Sequence, residues 1–516
     1  MNMKISRYAK VIAALCAVPL MGAPALAEQA AEVNPAATVV YAHDAGNDSL
    51  DPHVEAGVRL RAMWPIYEQL IKLAPDGDRI PGLAESWEWV DPMTLQFNLR
   101  DGVTFHDGAP LNAEAVRLNF ERMAGLQVRS DDVTQLVKAI DSIEVVSDLV
   151  VQLKLKEPNY LIEAYLVTGA GMMISPNALN NADLDVRPVG AGPYKIKEFR
   201  AGDRIVLSRF EDYWDAGKPR AAQLEIVSMP SAEARLNAVQ SGQVHVANIL
   251  ASQLGRAQQA PGMSVITEER GSSGPTVFNY KGAESKLSNK LVRQAINHLI
   301  SRDAVVASIS RGNGIPTVQL FSKAHPAYSD KYPPEAVPYD VDKAKALLAE
   351  AGYPDGIDLK LLVLNREDDI RTGELLVGLM QPANVRLSLM IVDPTRFPAF
   401  RQGETDMALG NWRDYPLPDG QISMQAAAYP GGRNSPGKYN VPEGQKILGE
   451  LSALPLKRDE KRISLLQRAS EITVEEALVY PLFFAPDYYA VNECLVGFEP
   501  TIWGVEVNTL GVKPGC

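Results

Sequence analysis

Short runs suited to β-strands recur from one end of this chain to the other, and helical periods with clear end signals fill the intervals. "TLQFNLR" (94–100) and "RIVLSRF" (204–210) alternate apolar and polar residues, the pattern of a strand with one buried face. "VVQLKL" (150–155), "LKLLVL" (359–364) and "LSLMIV" (387–392) are strand-like and more continuously apolar. Between them, "NAEAVRLNFERM" (112–123) offers Asn112 as a helix cap, with Leu118, Phe120 and Met123 near one face. "SNKLVRQAINHLISRDAVV" (288–306) opens on a serine cap, and "DVDKAKALLAEAGYPDG" (340–356) runs from capping aspartates to a stop at Gly352 and Pro354. Helices and strands mixed in this way indicate an α/β or α+β architecture. With 516 residues to bury, the chain exceeds one ordinary core, so two or three domains are expected. No internal repeat or low-complexity linker interrupts it, and the alanine-rich segment 28–38 reads as a loosely held N-terminus.

The first residues carry an address. Lys4, Arg7 and Lys10 precede an apolar run from Val11 to Met21, followed by "APALAEQ", in which Ala25 and Ala27 supply the small residues that a signal peptidase admits. Residues 1–27 therefore read as a signal peptide cleaved after Ala27, too short in its apolar part for a comfortable membrane span. Cleavage would take the net charge from -12 to -15, the wrong sign for a nucleic-acid partner. Cys16 follows Leu15 inside the apolar run, not a small residue beside the cleavage site, so no lipid anchor is expected. That leaves Cys494 and Cys516, which in an oxidising compartment are expected to pair as a structural disulfide.

Catalytic patterns are approached and missed. "GRNSPGKY" (432–439) ends in Tyr439 where a phosphate loop needs a small hydroxyl for magnesium, and no apolar strand runs into it. "SPGK" (435–438) has the spacing of a serine acylase, but its Pro-Gly centre opposes the helical turn that chemistry needs. "GSSGP" (271–275) lacks the spacing of a nucleophile elbow, and the histidines 43, 53, 106, 245, 298 and 325 include no close pair at metal-ligand spacing. No catalytic constellation, metal site or cofactor is expected.

Longer stretches carry a resemblance. "PGLAESWEWVDPMTLQFNLRDGVTFHDGAPLNAEAVRLNFERM" (81–123), "VGAGPYKIKEF" (189–199), "EDYWDAGKPR" (211–220), "RLNAVQSGQVHVA" (235–247), "VRQAINHLISRD" and "YDVDKAKALLAEAGYP" stand in that order. Together they resemble the family 5 extracellular solute-binding proteins, the peptide-, nickel- and opine-binding components of ABC importers. The resemblance implies an α/β, type II-like periplasmic binding protein with two discontinuous lobes joined by a hinge, plus an extra domain. Lobe one would take residues 28–58, 186–275 and 490–516, the extra domain 59–185, and lobe two 276–489. It implies a monomeric periplasmic receptor that captures a peptide-sized polar solute and delivers it to an inner-membrane ABC permease. That solute is a short peptide, an opine or a sugar-phosphate conjugate. The alternatives are an exported hydrolase or peptidase, or a nickel-chelate binding protein of the same fold.

The resemblance also points to a pocket. "GNWRDYPLPDG" (410–420) is similar to a family stretch in lobe two in which a tryptophan lines the cleft and an aspartate holds a peptide ammonium. Trp412, Asp414, Tyr415 and Pro418 match it, with one residue fewer between Trp and Asp and with Arg413 directly before the acid. Asp414 therefore either meets the ligand or pairs with Arg413, and Asp419 is a second acid beside the later proline. Replacing Trp412 with alanine is expected to weaken binding while leaving the fold intact. Downstream, "YPGGRNSPGKYNVPE" (429–443) fits the family's glycine turn. Gly431 and Gly432 could present backbone N–H groups as an anion nest, with Arg433 and Arg413 gripping a carboxylate or phosphate and Asn434 beside them. A solvated turn with surface arginines fits the same residues. Asn47, Ser49, Leu50 and His53, from the first cleft-edge loop, and Tyr280, as an aromatic wall, complete the candidates.

Overall fold

The computed structural model describes residues 32–516 except for 45, 56, 75–76, 394–395, 414–419, 438, 458 and 502–503. The expected signal peptide lies outside the described residues. Among those described, no helix is long and apolar enough to cross a membrane.

A mixed sheet runs through the molecule. Its order is Val385–Val392, Ile357–Leu364, Met407–Arg413, Met263–Asn279, Phe483–Asn492, Val246–Ile249, Thr38–His43, Gln223–Ser228, Arg204–Arg209 and Tyr194–Arg200. Parallel pairs lie toward each end of this order, at Thr38–His43 against Gln223–Ser228 and Ile357–Leu364 against Val385–Val392. Two long antiparallel strands join the halves: Met263–Asn279 pairs with Phe483–Asn492 from Met263 opposite Asn492 to Ser273 opposite Ala485, with a register shift between Glu268 and Ser273. A separate four-stranded antiparallel sheet has the order Ala84–Asp91, Thr94–Leu99, Val150–Leu155, Ile140–Ser147.

The apolar groups that sit on these sheets include those of three regions. The first gathers Val39, Tyr41, Ile226, Val246, Tyr489 and Val512, and takes in Leu60, Met63 and Tyr67 together with Met172, Ile174 and Leu184. The second fills the four-stranded unit with Leu95, Phe97, Phe105, Phe120, Leu136 and Leu153, and Leu456 from far down the chain joins it. The third belongs to the C-terminal half and lies on both faces of its strands, with Ile296, Leu361, Val363 and Leu409 in one layer. Phe278, Leu362, Phe400, Trp412 and Leu466 form the other. Burial on both faces is why residues 361–364 of the strand Ile357–Leu364 read as a continuous apolar run, whereas Val385–Val392 keeps Arg386, Ser388 and Ile391 exposed.

Local signals explain most element boundaries. Asn112 caps the helix Ala113–Gly125 by accepting from the Ala115 amide at 2.8 Å. Asp340 does the same for Val341–Glu350 from the Lys343 amide at 2.9 Å, and Gly352 beyond it takes a φ of 93°. One expectation is corrected. Residues 288–306 form two helices, Lys290–His298 and Arg302–Ile309, capped by Asn289 and Ser301 and not by Ser288. Ser301 accepts from the Ala304 amide, which restarts the chain in a new direction and ends the first helix at Leu299.

Cys494 and Cys516 are bonded, with their Cα atoms 5.8 Å apart and a sequence separation of 22. The bridge ties the last residues back to the end of the long strand Phe483–Asn492. Replacing both cysteines with serine is expected to lower the unfolding free energy by about 2–4 kcal/mol. Urea denaturation read by tyrosine and tryptophan fluorescence checks it, and an unchanged midpoint would show the bridge to be mechanically idle.

Candidate ligand-binding site

A cavity of about 540 Å³ lies between the four-stranded unit and the C-terminal half, within the size range of small-molecule sites. Its rim is pinned where the Tyr160 amide donates to Ser452 O at 2.9 Å and Arg79 Nη2 to Leu456 O at 2.8 Å.

One wall is acidic. Ser130 caps the helix Asp131–Ala139 by accepting from the Val133 amide, and Val133, Leu136 and Ala139 turn into the core. That face leaves Asp131, Asp132 and Gln135 on the cavity side, where Tyr165 and Thr168 also line it. Asp132 is half-buried, and desolvation raises its pKa, with Arg433 across the cavity opposing that shift and Asp131 adding to it.

The opposite wall comes from Trp412, the helix Gln421–Ala427, the turn 429–433 and the helix Pro442–Ser452. Trp412 is 3% exposed and meets Phe278 edge-on, ring centroids 6.0 Å apart at 71°. Its indole N–H and the hydroxyl of Ser423, both buried, have no hydrogen-bond partner among the described residues. Gly431 takes a φ of 83°, and Gly432 packs so closely that a Cβ there would lie 1.9 Å from Gln425 O. The turn is braced from behind: Ser435 Oγ donates to Ala428 O at 2.9 Å, Tyr439 OH donates to the same carbonyl, and Lys281 Nζ stands 4.7 Å over the Tyr439 ring.

Arg433 lines the cavity half-buried, and among the described residues no ion pair engages it. Arg401, at the end of the short helix Pro398–Arg401, is coupled to the same charges. Burial lowers its pKa, Asp131 opposes that, and Arg433 adds to it. The site is thus bipolar, with carboxylates on one wall and a guanidinium on the other.

Of the residues expected from sequence, the structure brings Trp412, Gly431, Gly432 and Arg433 to this cavity. The anion nest needs correction, because the Gly432 N–H is already donated to Tyr429 O at 3.1 Å. Gly432 serves instead to let the turn approach the helix before it. Asn434 is buried and donates its amide to Ala426 O at 2.8 Å. Asp414, Tyr415 and Asp419 lie outside the described residues, as does the side chain of Arg413, whose backbone pairs with Ser273.

The remaining candidates sit elsewhere. Tyr280 packs against Gly282 and Gly403 beside the C-terminal core and does not line the cavity. Asn47 is buried, its side chain donating to Arg59 O at 2.8 Å, and Ser49 Oγ accepts from the Asp51 amide. His53 is fully buried, with both ring nitrogens engaged by protein groups. Sequence reading missed Asp131 and Asp132, because "SDD" before an apolar period is also the ordinary start of a helix. It missed Ser423 and Tyr165 too, which carry no local signal.

Comparison with known proteins identifies the family and the fold. Residues 78–434 match the profile "Bacterial extracellular solute-binding proteins, family 5 Middle". The glutathione-binding protein GsiB of Pectobacterium atrosepticum is 30% identical over 321 residues, 61% of this chain and 61% of that protein. The chain therefore spans about six-tenths of the length of such curated relatives. Among solved structures, DppA from Helicobacter pylori in complex with the peptide STSA superposes with a TM-score of 0.82 at 22% identity, covering 93% of this chain and 98% of that one. AgaA from A. tumefaciens R10 in complex with agropinic acid gives 0.83 at 23% identity, covering 93% and 99%. The fold is the two-lobed α/β fold of those periplasmic binding proteins, and the chain belongs to the family 5 bacterial extracellular solute-binding proteins.

Proposed function

We propose that this protein is the receptor of an ABC importer. It captures a small zwitterionic, amino-acid-derived solute, such as a short peptide or an opine, and hands it to an inner-membrane permease. On this reading it is exported by cleavage after Ala27, acts in the periplasm as a monomer, and closes its lobes about a hinge. The two long strands that join the sheet's halves are the natural place for that hinge. The observation that carries the reading is the bipolar cavity. Arg433, which no ion pair engages among the described residues, is suited to grip a carboxylate in two-point fashion, while Asp131 and Asp132 face it with the charge an ammonium needs. The unpartnered N–H of Trp412 and hydroxyl of Ser423 are consistent with a ligand that brings its own polar atoms.

Isothermal calorimetry with glutathione, short peptides, agropinic acid and mannopinic acid tests this. Arg433→Met is expected to weaken a bound carboxylate ligand by at least about 30-fold, the equivalent of 2 kcal/mol. Asp132→Asn should weaken ligands with a free ammonium and spare their N-acetylated forms. Affinity for an ammonium falls as pH is lowered through the raised pKa of Asp132, because only the ionised carboxylate attracts it. Equal affinities for acetylated and free forms in the unmutated protein would remove the acidic wall from recognition. A ligand recovered chemically altered after incubation would favour an exported hydrolase instead.

A further inference from the structure

We propose that the buried cluster of Asp51, Arg122 and His53 positions the acidic wall of the cavity, setting ligand affinity without touching the ligand. The inference rests on the reading of that cavity as the ligand site.

The cluster is fully interlocked. Arg122 donates to both carboxylate oxygens of Asp51, at 2.6 and 3.2 Å, to Leu179 O at 3.0 Å, and to Nδ1 of His53 at 2.9 Å. A guanidinium can only donate, so Nδ1 is an acceptor and the proton sits on Nε2, which donates to Met172 O at 3.0 Å. The imidazole is therefore neutral. Desolvation lowers its pKa to about 4, with Asp51 opposing and Arg122 assisting. The Asp51 carboxylate also accepts from the His53 amide at 3.1 Å, and Tyr67 OH donates to Leu50 O at 3.1 Å, fixing the segment at its other side.

This segment meets the cavity wall at two places. The His53 carbonyl accepts the amide of Ser130 at 3.0 Å, and Ser130 is the cap from which Asp131 and Asp132 follow. Pro52 O lies against Gly169, where a Cβ would come within 2.3 Å, and Gly169 follows Thr168 of the cavity lining. Three consecutive residues thus hold both pieces of the acidic wall. Arg433 is mounted on a different core, braced by Tyr439 and Ser435. A shift of residues 51–53 would change the distance between the two charged walls. A segment held by a fixed tautomer is a sharper support than packing alone, since swapping the imidazole's donor and acceptor would break both of its hydrogen bonds.

Hydrogen exchange of the ligand-free protein, read by mass spectrometry, tests the support directly. His53→Leu is expected to speed exchange about tenfold or more in peptides covering 130–136 and 168–171, leaving those covering 421–435 unchanged. His53→Gln, which keeps one acceptor and one donor, should restore protection. Should His53→Leu fail to fold, Gly169→Ala pushes on Pro52 from the other side and should give the same local change. Uniform acceleration across the molecule, or none at 130–136, overturns the proposal. For binding, the probe is whichever of glutathione, dialanine or agropinic acid the unmutated protein binds by calorimetry. His53→Leu should weaken it about tenfold, and by less than twofold in an Asp132→Asn background, because a residue acting through Asp132 has nothing left to position. Equal losses in both backgrounds would make the role merely structural. An unmutated protein that binds none of the three overturns the functional reading of the cavity, while the exchange result still decides whether His53 holds the wall.

Discussion

Replacing Trp412 with alanine is expected to lower the unfolding free energy by about 3–5 kcal/mol, besides weakening ligand binding. The sequence suggests a pocket residue that can be removed with the fold intact. The structure adds a second role for Trp412, which is 3% exposed, packs edge-on against Phe278, and belongs to the same apolar layer as Leu362 and Phe400. Deleting the indole leaves a void that close-packed neighbours can refill only in part. Trp412→Phe separates the two roles, since it keeps most of the packing and removes the N–H that has no partner among the described residues. Urea denaturation beside calorimetry should show a large stability loss for alanine and a much smaller one for phenylalanine. An alanine variant with an unchanged denaturation midpoint would show that the indole is not part of the core.

Arg122→Met is expected to cost a similar amount, about 3–5 kcal/mol, because it strands a buried carboxylate. The side chains of Asp51 and Arg122 are each 11% exposed, and the guanidinium supplies two of the bonds that the carboxylate accepts. The loss should be largely recovered in the double variant Asp51→Asn with Arg122→Met, since an apolar group beside a neutral amide leaves no charge in the interior. Equilibrium denaturation of the two singles and the double reads the coupling directly. If the double variant is as unstable as Arg122→Met alone, the stranded carboxylate charge is not what destabilises the protein.

How much of this was legible in the sequence depended on how local each cause was. The Asn112 cap, the Asp340 cap and the stop at Gly352 are written within a few residues of the structures they determine, and the structure places them there. Trp412 and the 431–433 turn were visible through the family pattern, and they do line the cavity. Asp131 and Asp132 were hidden because an acid in a first helical turn has a sufficient local explanation. Their relevance depends on Arg433, about three hundred positions away. His53 failed as a contact for the same reason in reverse: a polar residue in a loop suggests exposure, while Arg122 and Met172 absorb both its nitrogens in the interior. The break after Leu299 was missed because an unbroken helical period can run through a second cap.

The strand Val246–Ile249 pairs on one side with Thr38–His43 and on the other with Phe483–Asn492, and the first apolar core includes both Val39 and Val512. A newly made chain therefore lacks one edge of that core until the strand Phe483–Asn492 and Val512 have left the ribosome. Closing a contact across such a span is entropically costly and slow. During synthesis the N-terminal half cannot reach its final state and wait. On the export reading proposed above, this delay keeps the chain threadable through a translocation channel while it is still being made.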